Sequence, residues 1–200
     1  MITESKTIKK GCDEETMRPS ESIHEKIMLI GFMGTGKSTV GAKLAAKLGW
    51  RWTDTDSEVV AEQGCSIAEL FERRGESYFR DAETEVLAKL LETDEPLVIA
   101  TGGGAVLREG NRRIMIGGAF VAALQASEAI IVERVRYDKG RPLLAGDPSL
   151  KVRELLKTRE GAYDFAHLQV MTDSLTPDEA AEAIANAYHL ASGLYRASDS

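Results

Sequence analysis

Residues Lys26–Leu48 read KIMLIGFMGTGKSTVGAKLAAKL, and this stretch decides the fold class. Lys26–Ile30 is an apolar run of strand length, while Val40, Leu44 and Leu48 recur at helical spacing, with Gly49 placed to end the helix. Between them GFMGTGKS, Gly31–Ser38, matches G-x-x-x-x-G-K-[ST]. At ordinary composition its fixed positions coincide by chance in about one sequence of this length in a hundred. The strand before and the helix after are read independently of the motif, which marks it as a phosphate-binding loop. Its glycines let the backbone curl so that several N–H groups and a helix N-terminus face one anion. Gly34, Thr35, Gly36, Lys37, Ser38 and Thr39 are therefore candidate contacts to a nucleoside triphosphate. Lys37 would place its charge on the β and γ phosphates, and the Ser38 hydroxyl would ligate Mg2+, a hard ion that prefers oxygen donors.

Outward from this loop, short apolar runs alternate with amphipathic segments, the pattern of an α/β fold with a parallel sheet. Strands are expected at Lys26–Ile30, Arg51–Thr53, Leu97–Ala100, Ala119–Leu124 and Leu168–Met171. Two helix starts carry the capping-box spacing, Ser66 with Glu69 and Thr176 with Glu179, the second with Pro177 at the first helical position. The charged segment RYDKGRPLLAGDPS, residues 136–149, has two glycines and two prolines between helices and reads as a mobile lid. The polar stretch 1–25 reads as a flexible leader, 26–192 as one domain and 193–200 as a flexible tail.

Composition narrows the partners. A chain of 200 residues, 43% of them hydrophobic, suits one domain with its own core. A net charge of -7 disfavours nucleic acid, which calls for a clustered basic surface. The longest apolar run, Ile114–Leu124, is far short of the roughly 20 residues that span a bilayer, so no membrane partner is expected. Cys12 and Cys65 stand outside any paired metal-ligand spacing, and His24, His167 and His189 are scattered. We read the chain as a reduced cytoplasmic protein and a monomer.

The acceptor of the phosphate is sought at the strand ends, where open parallel sheets bind ligands. Asp54 and Asp56 follow the second strand, and strand alternation would turn both side chains to one side. Asp54 could hold Mg2+ through water while Asp56 receives the proton of an attacking hydroxyl; the same two residues also read as a solvated, helix-capping pair. Gly102, Gly103 and Gly104 can bring backbone N–H groups close to a ligand, or simply make a flexible turn. Arg80 has Glu83 three positions on, the spacing of an intrahelical ion pair. Arg159 has no evident partner and reads equally as solvated. A guanidinium matches a carboxylate with two parallel hydrogen bonds, so Arg80 and Arg159 together would suit an organic acid. Arg141 could swing with the lid over the transferred phosphoryl group. The chain has no NKxD segment of the kind that reads guanine.

Taken together, GFMGTGKST, the Asp54–Asp56 pair, SIAELFERRGESYFRDAE, ATGGGAV and GRPLLAG resemble the shikimate kinase family in order and separation, over about Lys26–Tyr188. The resemblance implies a P-loop three-layer sandwich with a five-stranded parallel sheet of order 2-3-1-4-5 flanked by helices. It also implies transfer of the ATP γ-phosphate to the 3-hydroxyl of shikimate. Carried onto this chain, it assigns Asp56, Lys37 and Arg141 to catalysis and gives Asp56 the role of base. It places Arg80 and Arg159 on the shikimate carboxylate, Glu83 behind Arg80, and backbone contacts at Gly102, Gly103 and Gly104. Phe71 and Phe79 would wall the shikimate pocket, and Arg134 would stack on adenine. Where the family commonly reads Pro-Leu-Tyr, this chain has Gly161-Ala162-Tyr163, which implies a looser backbone around Arg159. Rival readings are a kinase for a related acid, such as aminoshikimate or a gluconate-like substrate, and a catalytically silent nucleotide-binding module.

Overall fold

Strand β1, Lys26–Gly31, is buried along its whole length, as expected for a central strand covered on both faces. In this computed structural model, which describes residues 25–136 and 148–193, β1 pairs with β3, Leu97–Ala100, on one side and with β4, Phe120–Gln125, on the other. The outer strands are β2, Arg51–Asp54, beside β3, and β5, Leu168–Met171, beside β4. Every pairing is parallel and the order is β2-β3-β1-β4-β5. Each expected strand is present, with ends shifted by one residue at most. Residues 1–24 of the expected leader 1–25, 137–147 of the expected lid 136–149 with Arg141, and 194–200 of the expected tail 193–200, together with Cys12 and His24, lie outside the described residues.

Alternation along the strands builds two cores, because successive side chains point to opposite faces. Met28, Ile30, Leu97, Ile99, Val121 and Ala123 face helices α2, Thr55–Gln63, α3, Ile67–Glu92, and α4, Glu109–Gly118. Ile27, Leu29, Val98, Ala122, Leu124 and Val170 face α1, Lys37–Leu48, and α7, Pro177–Ala191. Val40 and Leu44 of α1 are buried there, and Leu48 is half-buried at its edge. A third cluster joins Phe32 and Met33 of the glycine-rich loop to Ile131 and Val135 of α5, Glu128–Val135, and Val152 of α6, Pro148–Thr158. This last cluster anchors the loop from above the sheet.

Helix ends follow the sequence signals. Both capping boxes form, at Ser66 with Glu69 and at Thr176 with Glu179, and Gly49 closes α1 in the left-handed conformation at φ 70. Pro148 and Ser149, read from sequence as the end of the lid, belong instead to the first turn of α6. Helix α3 is broken at Gly75, whose φ 81 and ψ 170 lie outside the helical region, and the segment beyond the break carries Arg80 and Glu83. Among the described residues no helix is long and apolar enough to cross a membrane.

Candidate active site

The glycine-rich loop leaves β1 at the centre of the sheet and enters α1 at its C-terminal edge. Gly31 has φ 142, and a Cβ there would lie 2.3 Å from the Leu124 carbonyl oxygen, so no larger residue fits. Gly34 and Gly36 also have positive φ, 78 and 95. Thr35 turns inward, its hydroxyl donating to the Phe32 carbonyl at 2.8 Å, and so closes the loop on itself. Lys37 Nζ folds back over the loop and donates to the Gly31 and Phe32 carbonyls at 2.9 Å each. A cavity of about 390 Å³ opens above, lined by Gly34, Gly36, Lys37, Ser38 and Thr39 together with Asp54, Asp56, Gly102, Gly103 and Arg134. Its size suits a small ligand.

The two aspartates reach this cavity by a different route from the one alternation implies. Strand β2 ends at Asp54 and α2 begins at Thr55, so Asp56 stands on the first turn of a helix. Asp54 caps that helix, its Oδ1 accepting from the Asp56 N–H at 2.9 Å. Its other oxygen, Oδ2, accepts from the Ser38 hydroxyl at 3.1 Å. The capping role and the site role therefore coexist on one carboxylate. Ser38 and Asp54 present oxygen donors side by side on the cavity wall, which fits a hard divalent ion that keeps part of its water.

Each glycine of the Gly102–Gly104 turn packs against a different charged group. A Cβ on Gly102 would lie 2.6 Å from both Asp56 Oδ1 and Glu83 Oε1. A Cβ on Gly103 would lie 3.3 Å from Arg159 Nη1, and at the same distance from the Gly31 carbonyl oxygen and the Met33 amide nitrogen of the phosphate loop. A Cβ on Gly104 would lie 2.6 Å from Arg80 Nη2. The turn is thus glycine because four charged side chains and the phosphate loop crowd it. Gly102 N–H donates to the Thr55 hydroxyl at 3.1 Å, and among the described residues the N–H groups of Gly103 and Gly104 have no partner.

Arg80 and Arg159 do not line the phosphate cavity itself; Arg159 meets its wall at Gly103, and Arg80 stands one residue beyond, at Gly104. Arg80 Nη1 donates to Glu83 at 2.8 Å and Nη2 to Glu76 at 3.1 Å, so both intrahelical ion pairs form. Glu83 is completely buried, and among the described residues its Oε1 has no hydrogen-bond partner. Burial pushes its carboxyl up to about 7, against the opposing pull of Arg80 and with the Asp56 charge adding to the rise. Burial works against the Arg80 charge, but Glu83 and Glu76 outweigh it and raise its pKa further. Arg159 is 5% exposed, lies over the Phe32 ring at 5.3 Å and donates from Nη1 to the Gly103 carbonyl at 3.1 Å. Phe71 and Phe79 are in contact at 5.0 Å; Phe79 is buried under Arg80, while Phe71 is half-buried at the edge of the core.

Sequence reasoning missed three contributors. Tyr163 donates its hydroxyl to the Gly103 carbonyl at 2.8 Å, and burial raises its pKa, which keeps the phenol a neutral donor. Thr55 holds Gly102, as described above. Thr172, just past β5, donates to the Gln125 carbonyl at 3.0 Å and lies 3.3 Å from Arg134 Nη1, whose guanidinium also donates to the Gly34 carbonyl at 3.1 Å. Position at a strand end was the available signal for the threonines; Tyr163, four residues past Arg159, had spacing alone.

The family model for shikimate kinase matches residues 33–189. The chain belongs to the shikimate kinase family. Curated shikimate kinases include one from Thermodesulfovibrio yellowstonii, 42% identical over 82% of this chain and 95% of its own. Another, from Pelotomaculum thermopropionicum, is 44% identical over 80% of this chain and 93% of its own. Among solved structures, shikimate kinase from Acinetobacter baumannii in complex with shikimate superposes with a TM-score of 0.78 and 37% identity, over 84% of this chain and 93% of that one. The five-stranded parallel sheet of order β2-β3-β1-β4-β5, with helices on both faces, is the P-loop kinase fold of this family. The family's Pro-Leu-Tyr appears here as Gly161-Ala162-Tyr163. Gly161 takes φ 71, a left-handed conformation closed to proline, and Ala162 N–H donates to the Arg159 carbonyl at 3.0 Å across the resulting turn.

Proposed function

We propose that the protein transfers the γ-phosphoryl group of ATP to the 3-hydroxyl of shikimate. One observation carries this reading: the Gly102–Gly104 turn, whose first two glycines line the cavity that Lys37 also lines, packs in succession against Asp56, Arg159 and Arg80. A phosphate cradle thus faces one acid and two guanidinium groups across a glycine turn.

In this reading the loop amides of Gly34, Thr35, Gly36, Ser38 and Thr39 and the Lys37 ammonium hold the triphosphate, and Arg134 stacks on adenine. Ser38 directly and Asp54 through water would hold Mg2+, which when bound neutralises charge on the β and γ phosphates. The Asp56 carboxylate orients the substrate hydroxyl and takes its proton. The hydroxyl oxygen bonds to the γ-phosphorus as the bond from that phosphorus to the β–γ bridging oxygen breaks, and ADP departs with the electron pair. Phosphoryl transfer is loose, so positioning supplies most of the rate and full deprotonation beforehand is unnecessary. Arg80 and Arg159 grip the shikimate carboxylate, Phe71 and Phe79 wall the ring, and Gly103 and Gly104 offer N–H groups to its hydroxyls. Arg141, outside the described residues, would close over the phosphates with the lid that precedes α6 and shield the site from water. We read the enzyme as a monomer working in the cytoplasm.

A coupled ADP-release assay tests this with shikimate, aminoshikimate and gluconate at equal concentrations. Shikimate is expected to give the highest kcat/KM. No stimulation by shikimate above the ATP-only background overturns the reading.

A further inference from the structure

Three glycines in a row have no side chains to hold their peptide planes, and ordering them on ligand binding would cost on the order of 1 kcal/mol or more per residue. A turn that must present N–H donors to a substrate gains affinity if something fixes it beforehand. The Gly103 carbonyl accepts two hydrogen bonds, from Tyr163 Oη at 2.8 Å and from Arg159 Nη1 at 3.1 Å. A trans peptide sets its C=O and N–H in opposite directions. Fixing the Gly103 oxygen therefore fixes where the Gly104 N–H points, and that donor is without a partner among the described residues.

Tyr163 is itself held firmly. Its carbonyl accepts from Gln169 Nε2 at 3.1 Å and from the Ala166 N–H at 3.3 Å. Its ring packs against both the cluster under α3 and the one above the phosphate loop. The turn at Gly161 brings Arg159 and Tyr163 to the same oxygen. Gly103 in turn sits against Gly31 and Met33, so the anchored peptide also touches the phosphate loop.

We infer that Tyr163 is a positioning residue, whose hydroxyl locks the Gly103–Gly104 peptide in the orientation that presents the Gly104 N–H to the acceptor substrate. The inference rests on the reading of this turn as part of the shikimate site. Within Tyr163 the ring supplies packing and the hydroxyl supplies the latch, which shares the Gly103 oxygen with Arg159 Nη1.

The test is Tyr163→Phe in the full chain, which keeps the ring and removes the hydroxyl. With wild type as control, initial rates are measured against shikimate and against ATP. Loss of one neutral hydrogen bond should raise the KM for shikimate about five- to tenfold and leave the KM for ATP within about twofold. In parallel, glycine-selective carbon and nitrogen labelling follows the Gly103 carbonyl and Gly104 amide resonances without turnover. Both should shift in the variant, and the Gly104 amide should become less ordered. An unchanged Gly103 carbonyl resonance overturns the latch, as does a variant that loses thermal stability while both KM values hold or rise together. If wild type fails to phosphorylate shikimate, the functional reading falls by itself, and the resonances alone decide whether the latch exists.

Discussion

Glu83→Gln isolates the cost of a buried carboxyl beside the proposed base. Glu83 is wholly buried, its Oε2 accepts from Arg80, and its Oε1 points at the space over Gly102 that Asp56 also faces. Burial, moderated by Arg80 and reinforced by Asp56, raises its pKa from 4.5 to about 7. The folded state then binds a proton that the unfolded chain releases above 4.5. The stability it contributes is fully present below the unfolded value and is lost as pH rises through the folded one. Over that window the loss is about 3 kcal/mol, at about 1.4 kcal/mol per pH unit. Glutamine stays neutral, can still accept from Arg80, and places an N–H2 where Oε1 has no partner among the described residues. Urea unfolding of wild type and variant, without ligand, at half-unit steps from pH 4.5 to 9 should give curves that diverge until about pH 7 and then run parallel. The variant should be the more stable at the alkaline end, with unchanged m. A constant difference at every pH would mean that Arg80 keeps Glu83 ionised throughout, and would refute burial as the dominant influence.

Gly104→Ala tests the carboxylate grip, because φ is -101 there and the backbone tolerates alanine, while the three atoms nearest the new Cβ all belong to the Arg80 guanidinium. Displacing that group should raise the KM for shikimate at least about tenfold, with little change in the KM for ATP, by initial-rate kinetics. Asp56→Asn should leave ATP affinity, read by calorimetry, nearly intact while removing most turnover, a loss of about 100-fold or more. Equal loss of ATP affinity would make Asp56 a structural residue. His167 accepts from the Val121 N–H at Nδ1, and burial lowers its pKa. Its stabilising contribution is therefore present above the unfolded value of 6.5 and lost as pH falls through the lower folded value. His167→Asn keeps an acceptor and should lose less stability than wild type between pH 7 and 5 in thermal melts.

The sequence by itself determined the five strands, both capping boxes, the phosphate loop and its lysine, because each declares itself in residues close in the chain, whereas the strand order pairs distant segments and was implied by the family resemblance. A buried parallel strand declares itself as an apolar run, and a loop that must expose N–H groups declares itself in glycines at fixed spacing. Asp54 and Asp56 were also legible, although the helix start at Thr55, rather than strand alternation, is what aims them. What only the tertiary structure decided is the partnership of groups far apart in the chain. Three glycines read equally as a flexible turn until Asp56, Arg159 and Arg80 arrived against their backbone from three separate elements. Arg159 looked solvated because Phe32 and Gly103, the groups that bury it, come from elsewhere in the fold. The Glu83 carboxyl acquires its unusual proton affinity only when the helix beyond Gly75 packs it against the sheet, since desolvation is a property of the assembled core and of no local stretch.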